Sequence, residues 1–138
     1  MKIVISFAII GWLLLSGFQT EKAEYKLSVD GDFNNITVKK LQQRLASGDT
    51  LILLDVRTLP EYNGPLGHIE DSILIPVQEL ESRIEELEKY KDQEIIVICR
   101  SGNRSRVGSE ILSRNGYQAT NLLGGMKAWN QLISTGNN

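Results

Sequence analysis

One stretch brings together residue types that can do chemistry: Cys99-Arg100-Ser101-Gly102-Asn103-Arg104-Ser105. It follows Glu94-Ile95-Ile96-Val97-Ile98, the strongest strand signal in the chain. It precedes a segment with helical spacing that starts near Arg104. In an open α/β sheet, ligands bind outside the carboxyl ends of the strands. The first turn of a helix offers free N–H groups and a partial positive charge. A tight loop relaxed at Gly102 turns further N–H groups toward one point and forms an anion nest. A cysteine at the start of such a loop is held as thiolate, the nucleophilic form, with a pKa drawn from about 8.5 to between about 3.5 and 7.5. Arg100 and Arg104 add positive charge, and the same cradle suits an anionic substrate or leaving group. The competing reading makes Cys99 a buried filler at the end of a core strand. The flanking arginines weigh against it, because an apolar pocket does not recruit them.

Composition narrows what else the chain can be. Its 138 residues suit one ordinary domain. A charged fraction of 23% with mixed signs excludes a disordered or collagen-like chain. One cysteine excludes an internal disulfide framework or a multi-cysteine zinc site, and one histidine gives no histidine cluster. No metal or cofactor is expected. A net charge of −2 gives no reason to expect nucleic acid as partner.

The elements that would position Cys99 alternate at α/β spacing. Phe33 to Ile36 reads as a short strand, and Thr37 as the N-cap of a helix carrying Val38, Leu41 and Leu45. Leu51 to Leu54 is a continuous apolar run, as in a strand buried on both faces, with Asp55-Val56-Arg57 at its end. Pro60 to Gly67 is a loop with room for one helical turn. Ser72 to Ile75 makes another strand, and Leu80, Ile84 and Leu87 mark one amphipathic helix. Its glutamates, Glu79, Glu81, Glu85, Glu86 and Glu88, form a solvated face. After the Arg104–Arg114 helix come a strand from Gln118 to Leu122, a Gly124-Gly125 turn and a helix around Met126 to Ile133. The alternation predicts an α/β fold, a mostly parallel sheet with helices on both faces.

The N-terminus has a different character. Lys2 precedes the apolar run Ile3 to Leu15, with Ser16-Gly17 after it, which describes a secretory signal over residues 1–17. Such a helix would span only about 24 Å, against about 30 Å for a bilayer core. An uncleaved anchor over residues 3–18 is the alternative. Either reading places the domain outside the cytoplasm, in the periplasm of a Gram-negative bacterium or on its membrane. Residues 18–32 are polar and unpatterned, a linker before a domain of residues 33–138.

Four blocks resemble one family. They are Leu53-Leu54-Asp55-Val56-Arg57 with Glu61-Tyr62, then Gly67-His68-Ile69, then Ile96 through Ser105, and finally Leu122-Leu123-Gly124-Gly125-Met126-Lys127-Ala128-Trp129. In this order and spacing the chain is similar to the single-domain rhodaneses, thiosulfate sulfurtransferases, and with its leader to the small exported bacterial ones. The resemblance implies a rhodanese-like three-layer fold. It implies a Cys99 persulfide formed from thiosulfate or another persulfide donor and passed to cyanide or a thiol. Ping-pong kinetics would follow from covalent catalysis in two halves. Backbone N–H groups from Arg100 to Ser105 would hold the persulfide charge, and Arg100 and Arg104 would attract the sulfonate of thiosulfate.

The expected partners are small anionic sulfur compounds and possible acceptor-protein thiols. Asp55, Arg57 and Glu61 are expected to support the loop, with Arg57 paired to Glu61. His68, Met126 and Trp129 are read as structural. Cysteine phosphatases and arsenate reductases of the wider fold have one residue more between cysteine and arginine. Here four, Arg100 to Asn103, separate Cys99 from Arg104, and the smaller ring suits one sulfur atom. A sulfur-carrier or anion-binding module serving a protein partner is a further alternative. Two departures from the family pattern bear on the rim: the longer Asn63-Gly64-Pro65-Leu66 loop, and Glu70-Asp71-Ser72 where Pro-Gly-Ala is typical.

Overall fold

The computed structural model describes residues 32–136; the expected leader and most of the linker lie outside these. Five strands form one parallel sheet: β1 (Asn34–Thr37), β2 (Ile52–Asp55), β3 (Ile73–Leu74), β4 (Glu94–Ile98) and β5 (Gln118–Leu123), in the order β1-β5-β4-β2-β3. The helices are α1 (Val38–Ala46), α2 (Leu59–Tyr62), α3 (Val77–Leu80), α4 (Asn103–Arg114) and α5 (Gly125–Thr135), with a 3-10 helix over Ile84–Tyr90. The expected α/β class, with helices on both faces, is what the structure shows.

Strand alternation divides the core in two. Ile95, Val97 and Cys99 face the α3 and α4 side with Leu54, Val56, Leu80, Ile111 and Leu112. Ile96 and Ile98 face the α1 and α5 side with Leu41, Leu53, Leu122 and Met126. Both faces of β4 are therefore buried, which is why its sequence is apolar without interruption. Gly108 lets α4 lie close to the sheet: a Cβ there would sit 3.1 Å from Val97 and 3.4 Å from Val56. Thr37 caps α1 by accepting the Lys40 N–H at 3.2 Å, as its position before the helical repeat implies.

The expected single helix through Leu80, Ile84 and Leu87 is two pieces. After the one turn of α3 the chain breaks at Arg83 (φ −111°, ψ 12°) and continues as the 3-10 helix. The Arg83 N–H is shared between the carbonyls of Glu79 and Leu80, and its guanidinium ties Glu79 to Glu86. Leu80 and Leu87 stay fully buried across the break, so the apolar spacing survives a change of helix type. Farther along the rim, Asp71 has φ +61°, among the described residues the one non-glycine in that region. It stands where the resembled family has glycine, so the departure seen in the sequence is also a locally strained one.

The chain leaves β2 toward β3 and leaves β4 toward β5, on opposite sides of the β2–β4 pair. A crevice at the carboxyl ends of these neighbours is where such sheets bind ligands. Cys99 follows β4 at that crevice, Val56-Arg57 follow β2, and Gly124-Gly125 follow β5.

Candidate active site around Cys99

Cys99 is 1% exposed. Its Sγ receives the Gly102 N–H at 3.0 Å and lies 3.3 Å from Ser105 Oγ, to which the thiol donates. Gly102 is the N-cap of α4 with φ +105°, a conformation that bends the loop back over the sulfur and suits glycine. Burial pushes the Cys99 thiol up. The Ser105 hydroxyl and the backbone N–H groups of Ser105, Gly102 and Ser101 outweigh that and hold it below its ordinary value. The nest read from the sequence is thus formed by Ser101, Gly102 and Ser105. Asn103 opens α4, one residue before the expected start, and is exposed.

A second grip on the loop comes from α5. The Met126 N–H donates to Cys99 O at 2.8 Å, and the Lys127 N–H to Arg100 O at 3.0 Å. In a trans peptide the carbonyl and the following N–H point in opposite directions. Pinning these two carbonyls on α5 therefore turns the N–H groups of Arg100 and Ser101 the other way. Gly125 makes the approach possible, with φ +55° and room for no side chain: a Cβ would lie 2.4 Å from Cys99 O. The sequence marks Gly124-Gly125 only as a turn; its spacing just after a strand, beside the cysteine strand, was the available signal.

The charges are arranged differently from the expectation. Arg57 does not pair with Glu61. It is 1% exposed and bonded to the fully buried Asp55, with Nη2 to Oδ2 at 2.6 Å and Nε to Oδ1 at 2.9 Å. The two residues are separated only by Val56 at the end of one strand, which leaves Asp55 the nearer carboxylate. Arg57 still braces the α2 loop, donating to the carbonyls of Glu61 at 3.2 Å and Gly67 at 2.7 Å. Glu61 instead takes both ends of Arg104, at 2.8 and 2.6 Å. That guanidinium holds the Glu61 carboxyl down to about 2, against the smaller opposing pull of burial, with Thr58 assisting. Arg104 is thereby a neutralised cation beside Cys99. Arg100 is exposed on the loop.

His68 stacks on Tyr62, ring centroids 3.7 Å apart, with Nδ1 3.0 Å from Tyr62 O, an arrangement that organises the rim. Met126 is buried and Trp129 half-buried, both on α5. Two residues that the sequence reading did not place at the site extend the hydrogen bonding behind the sulfur, the buried Asn121 and the exposed Asn35. The Ser105 hydroxyl donates to Asn121 Oδ1 at 2.6 Å, and Asn121 Nδ2 donates to Asn35 Oδ1 at 2.9 Å. An asparagine in a strand directly before Leu122-Leu123 was the available signal for Asn121. Asn35 lies in register with it on β1.

A low-pKa buried thiol in a ring of N–H donors is equipped for nucleophilic attack on an electrophilic sulfur and for holding the anion that results. Residues 37–132 match the family described as the rhodanese-like domain. A protein named sulfurtransferase from Allochromatium vinosum is 36% identical over 97 residues, covering 70% of this chain and 87% of that protein. A Bacillus subtilis protein named as a candidate sulfur carrier is 30% identical over 117 residues, covering 84% of this chain and 61% of that longer protein. The crystal structure of a rhodanese-like domain protein from Staphylococcus aureus superposes with a TM-score of 0.62 at 32% identity, over 70% of this chain and 91% of that one. Strand order, cysteine loop and sequence pattern agree, and the chain belongs to the rhodanese-like domain family.

Proposed function

We propose that the protein is a sulfurtransferase that carries sulfane sulfur on Cys99. In the first half-reaction the Cys99 thiolate attacks the outer sulfur of thiosulfate, or of another persulfide donor. The donor's S–S bond breaks, and sulfite or the donor thiolate leaves with the electron pair. In the second, cyanide or an acceptor thiolate attacks the outer sulfur of the Cys99 persulfide, and Cys99 departs as thiolate. The loop Arg100 to Ser105 supports both halves: its N–H groups stabilise charge on the inner sulfur before transfer and on the outer sulfur after it. The observation that carries the reading is the Gly102 N–H 3.0 Å from a buried Sγ in a ring of this length. The relatives named sulfurtransferases support the class of reaction.

Incubation of the protein with thiosulfate, followed by intact-mass measurement, tests it. Wild type gains one sulfur atom and Cys99→Ser gains none. No gain, together with phosphate release from an aryl phosphate, would overturn the reading in favour of a phosphatase.

A second reading has one favouring observation. Leu59 and Leu123 are 58% and 44% exposed, Leu59 opening α2 two residues after Arg57 and Leu123 ending β5 before Gly124-Gly125. They suit delivery of the persulfide to a protein thiol rather than to a small acceptor. The sequence of residues 1–17 supports export of the domain. Ile9→Arg is expected to stop delivery across the membrane in a fractionation assay, and continued delivery would contradict it.

A further inference from the structure

Cys99, Ser105, Asn121 and Asn35 form one hydrogen-bonded line running from the end of β4 through α4 to β5 and β1. Ser105 and Asn121 are 0% and 3% exposed, so water does not substitute freely for either of the two central members. A serine hydroxyl has one proton to give. In the thiol form, Cys99 donates to Ser105 Oγ and Ser105 donates to Asn121 Oδ1. In the thiolate form sulfur has no proton and becomes an acceptor. The Ser105 proton is then claimed by two acceptors, Sγ and Asn121 Oδ1.

We infer that Asn121, its amide oriented by Asn35, is a positioning residue for Cys99 that decides where the Ser105 proton points. When the thiol proton leaves to solvent, the Ser105 hydroxyl rotates from Asn121 to the thiolate. When the charge moves to the outer sulfur of a persulfide, the hydroxyl returns to Asn121. Asn121 thus favours the states in which the inner sulfur is uncharged, the thiol and the persulfide, so it promotes loading of sulfur onto Cys99 and opposes the departure of Cys99 as thiolate. The inference rests on the reading of Cys99 as the nucleophile.

The charged groups around Cys99 are already committed elsewhere. Arg104 on α4 is bonded to Glu61 of α2, Arg57 after β2 is bonded to Asp55, and Arg100 on the loop is exposed. Their hydrogen bonds do not involve Ser105 or Asn121. The side chain that reaches Ser105 from β5 is the neutral Asn121.

The test is the pH profile of Cys99 alkylation by iodoacetamide, read by intact mass on the full chain, which has one cysteine. Asn121→Leu leaves the thiol-state hydroxyl without an acceptor and so favours the thiolate. Its midpoint is expected to fall by between about 0.5 and 1 pH unit, about a threefold to tenfold rise in reactivity below the midpoint. Ser105→Ala is expected to raise the midpoint, and adding Asn121→Leu to it should then change nothing. Asn35→Ala, at an exposed position, frees the Asn121 amide to turn and is expected to lower the midpoint by less. It decides the matter alone if Asn121→Leu does not fold. An unchanged or raised midpoint in Asn121→Leu or Asn35→Ala, or an equal Asn121→Leu effect without Ser105, would overturn the inference. Alkylation needs no sulfur donor. A failed mass gain with thiosulfate would therefore sink the transferase reading without touching this result.

Discussion

Arg104 and Glu61 lie 43 residues apart and close on each other through two hydrogen bonds of 2.8 and 2.6 Å. The pair converts the cation in the first turn of α4 into a neutral brace between that helix and the α2 loop. The direct donors to the Cys99 sulfur are then the Ser105 hydroxyl and the backbone N–H groups of Ser101, Gly102 and Ser105. Glu61→Gln removes the countercharge and leaves Arg104 free to attract anions. The expected outcome is a KM for thiosulfate lower by about fivefold, corresponding to roughly 1 kcal/mol, with stronger inhibition by sulfate. Steady-state kinetics at constant ionic strength check it. Unchanged KM and inhibition would mean that Glu61 does not set the charge at the site.

The same pair gives acid sensitivity a definite sign. Glu61 titrates at about 2 in the fold, against 4.5 in an ordinary setting. The unfolded chain therefore binds the proton first. The stabilisation is complete above pH 4.5 and is lost as pH falls from there toward 2. Urea midpoints at pH 3 and pH 7 should differ less for Glu61→Gln than for wild type.

Much of this fold was readable because its elements are marked by local chemistry. The apolar run of β4 ends where Glu94 to Ile98 said it would, and Thr37 caps α1 because its hydroxyl precedes the helical repeat. The cysteine loop was also legible, since a reactive thiol, a glycine and a helix start are adjacent in sequence. What was not legible depended on distance. Sequence alone paired Arg57 with Glu61. It could not show that Asp55 shares the buried end of β2 while Arg104 reaches Glu61 across the crevice. Asn121 and Asn35 become neighbours only through the β1–β5 register.

The Asp55–Arg57 pair is the costliest group in the domain to break. Both side chains are essentially inaccessible, and Asp55 also accepts the Arg57 backbone N–H at 3.0 Å. Asp55→Ala strands a guanidinium inside the protein. A loss of about 3–5 kcal/mol is expected, measured by chemical denaturation. A loss below about 1 kcal/mol would show that the Glu61 and Gly67 carbonyls suffice to hold Arg57.

Ser109 presents the opposite case. Its hydroxyl is buried in α4 and has no hydrogen-bond partner. Ser109→Ala removes an unsatisfied polar atom without opening a sizeable cavity. The expected change is a gain of about 1 kcal/mol. A loss of similar size would mean that the hydroxyl is paired in solution, and that α4 sits differently against the sheet.

Gly125 is the position where fold and chemistry are least separable. Its φ of +55° already disfavours a side chain, and a Cβ would sit 2.4 Å from Cys99 O and 2.7 Å from Arg100 O. Gly125→Ala must push α5 away from the loop. That lengthens the bonds from Met126 and Lys127 that hold those two carbonyls, and it lets the loop N–H groups turn from the sulfur. The expected loss is about 3 kcal/mol from backbone strain and overpacking together. Alkylation of Cys99 at pH 7 should slow in the folded fraction as the thiol pKa rises. Gly116→Ala separates the two effects. Gly116 shares the positive φ, at +82°, but its Cβ would meet only the end of the Lys91 side chain at 3.7 Å. It should lose about 1–2 kcal/mol and leave the alkylation rate unchanged. Equal alkylation in both variants would show that α5 does not shape the nest.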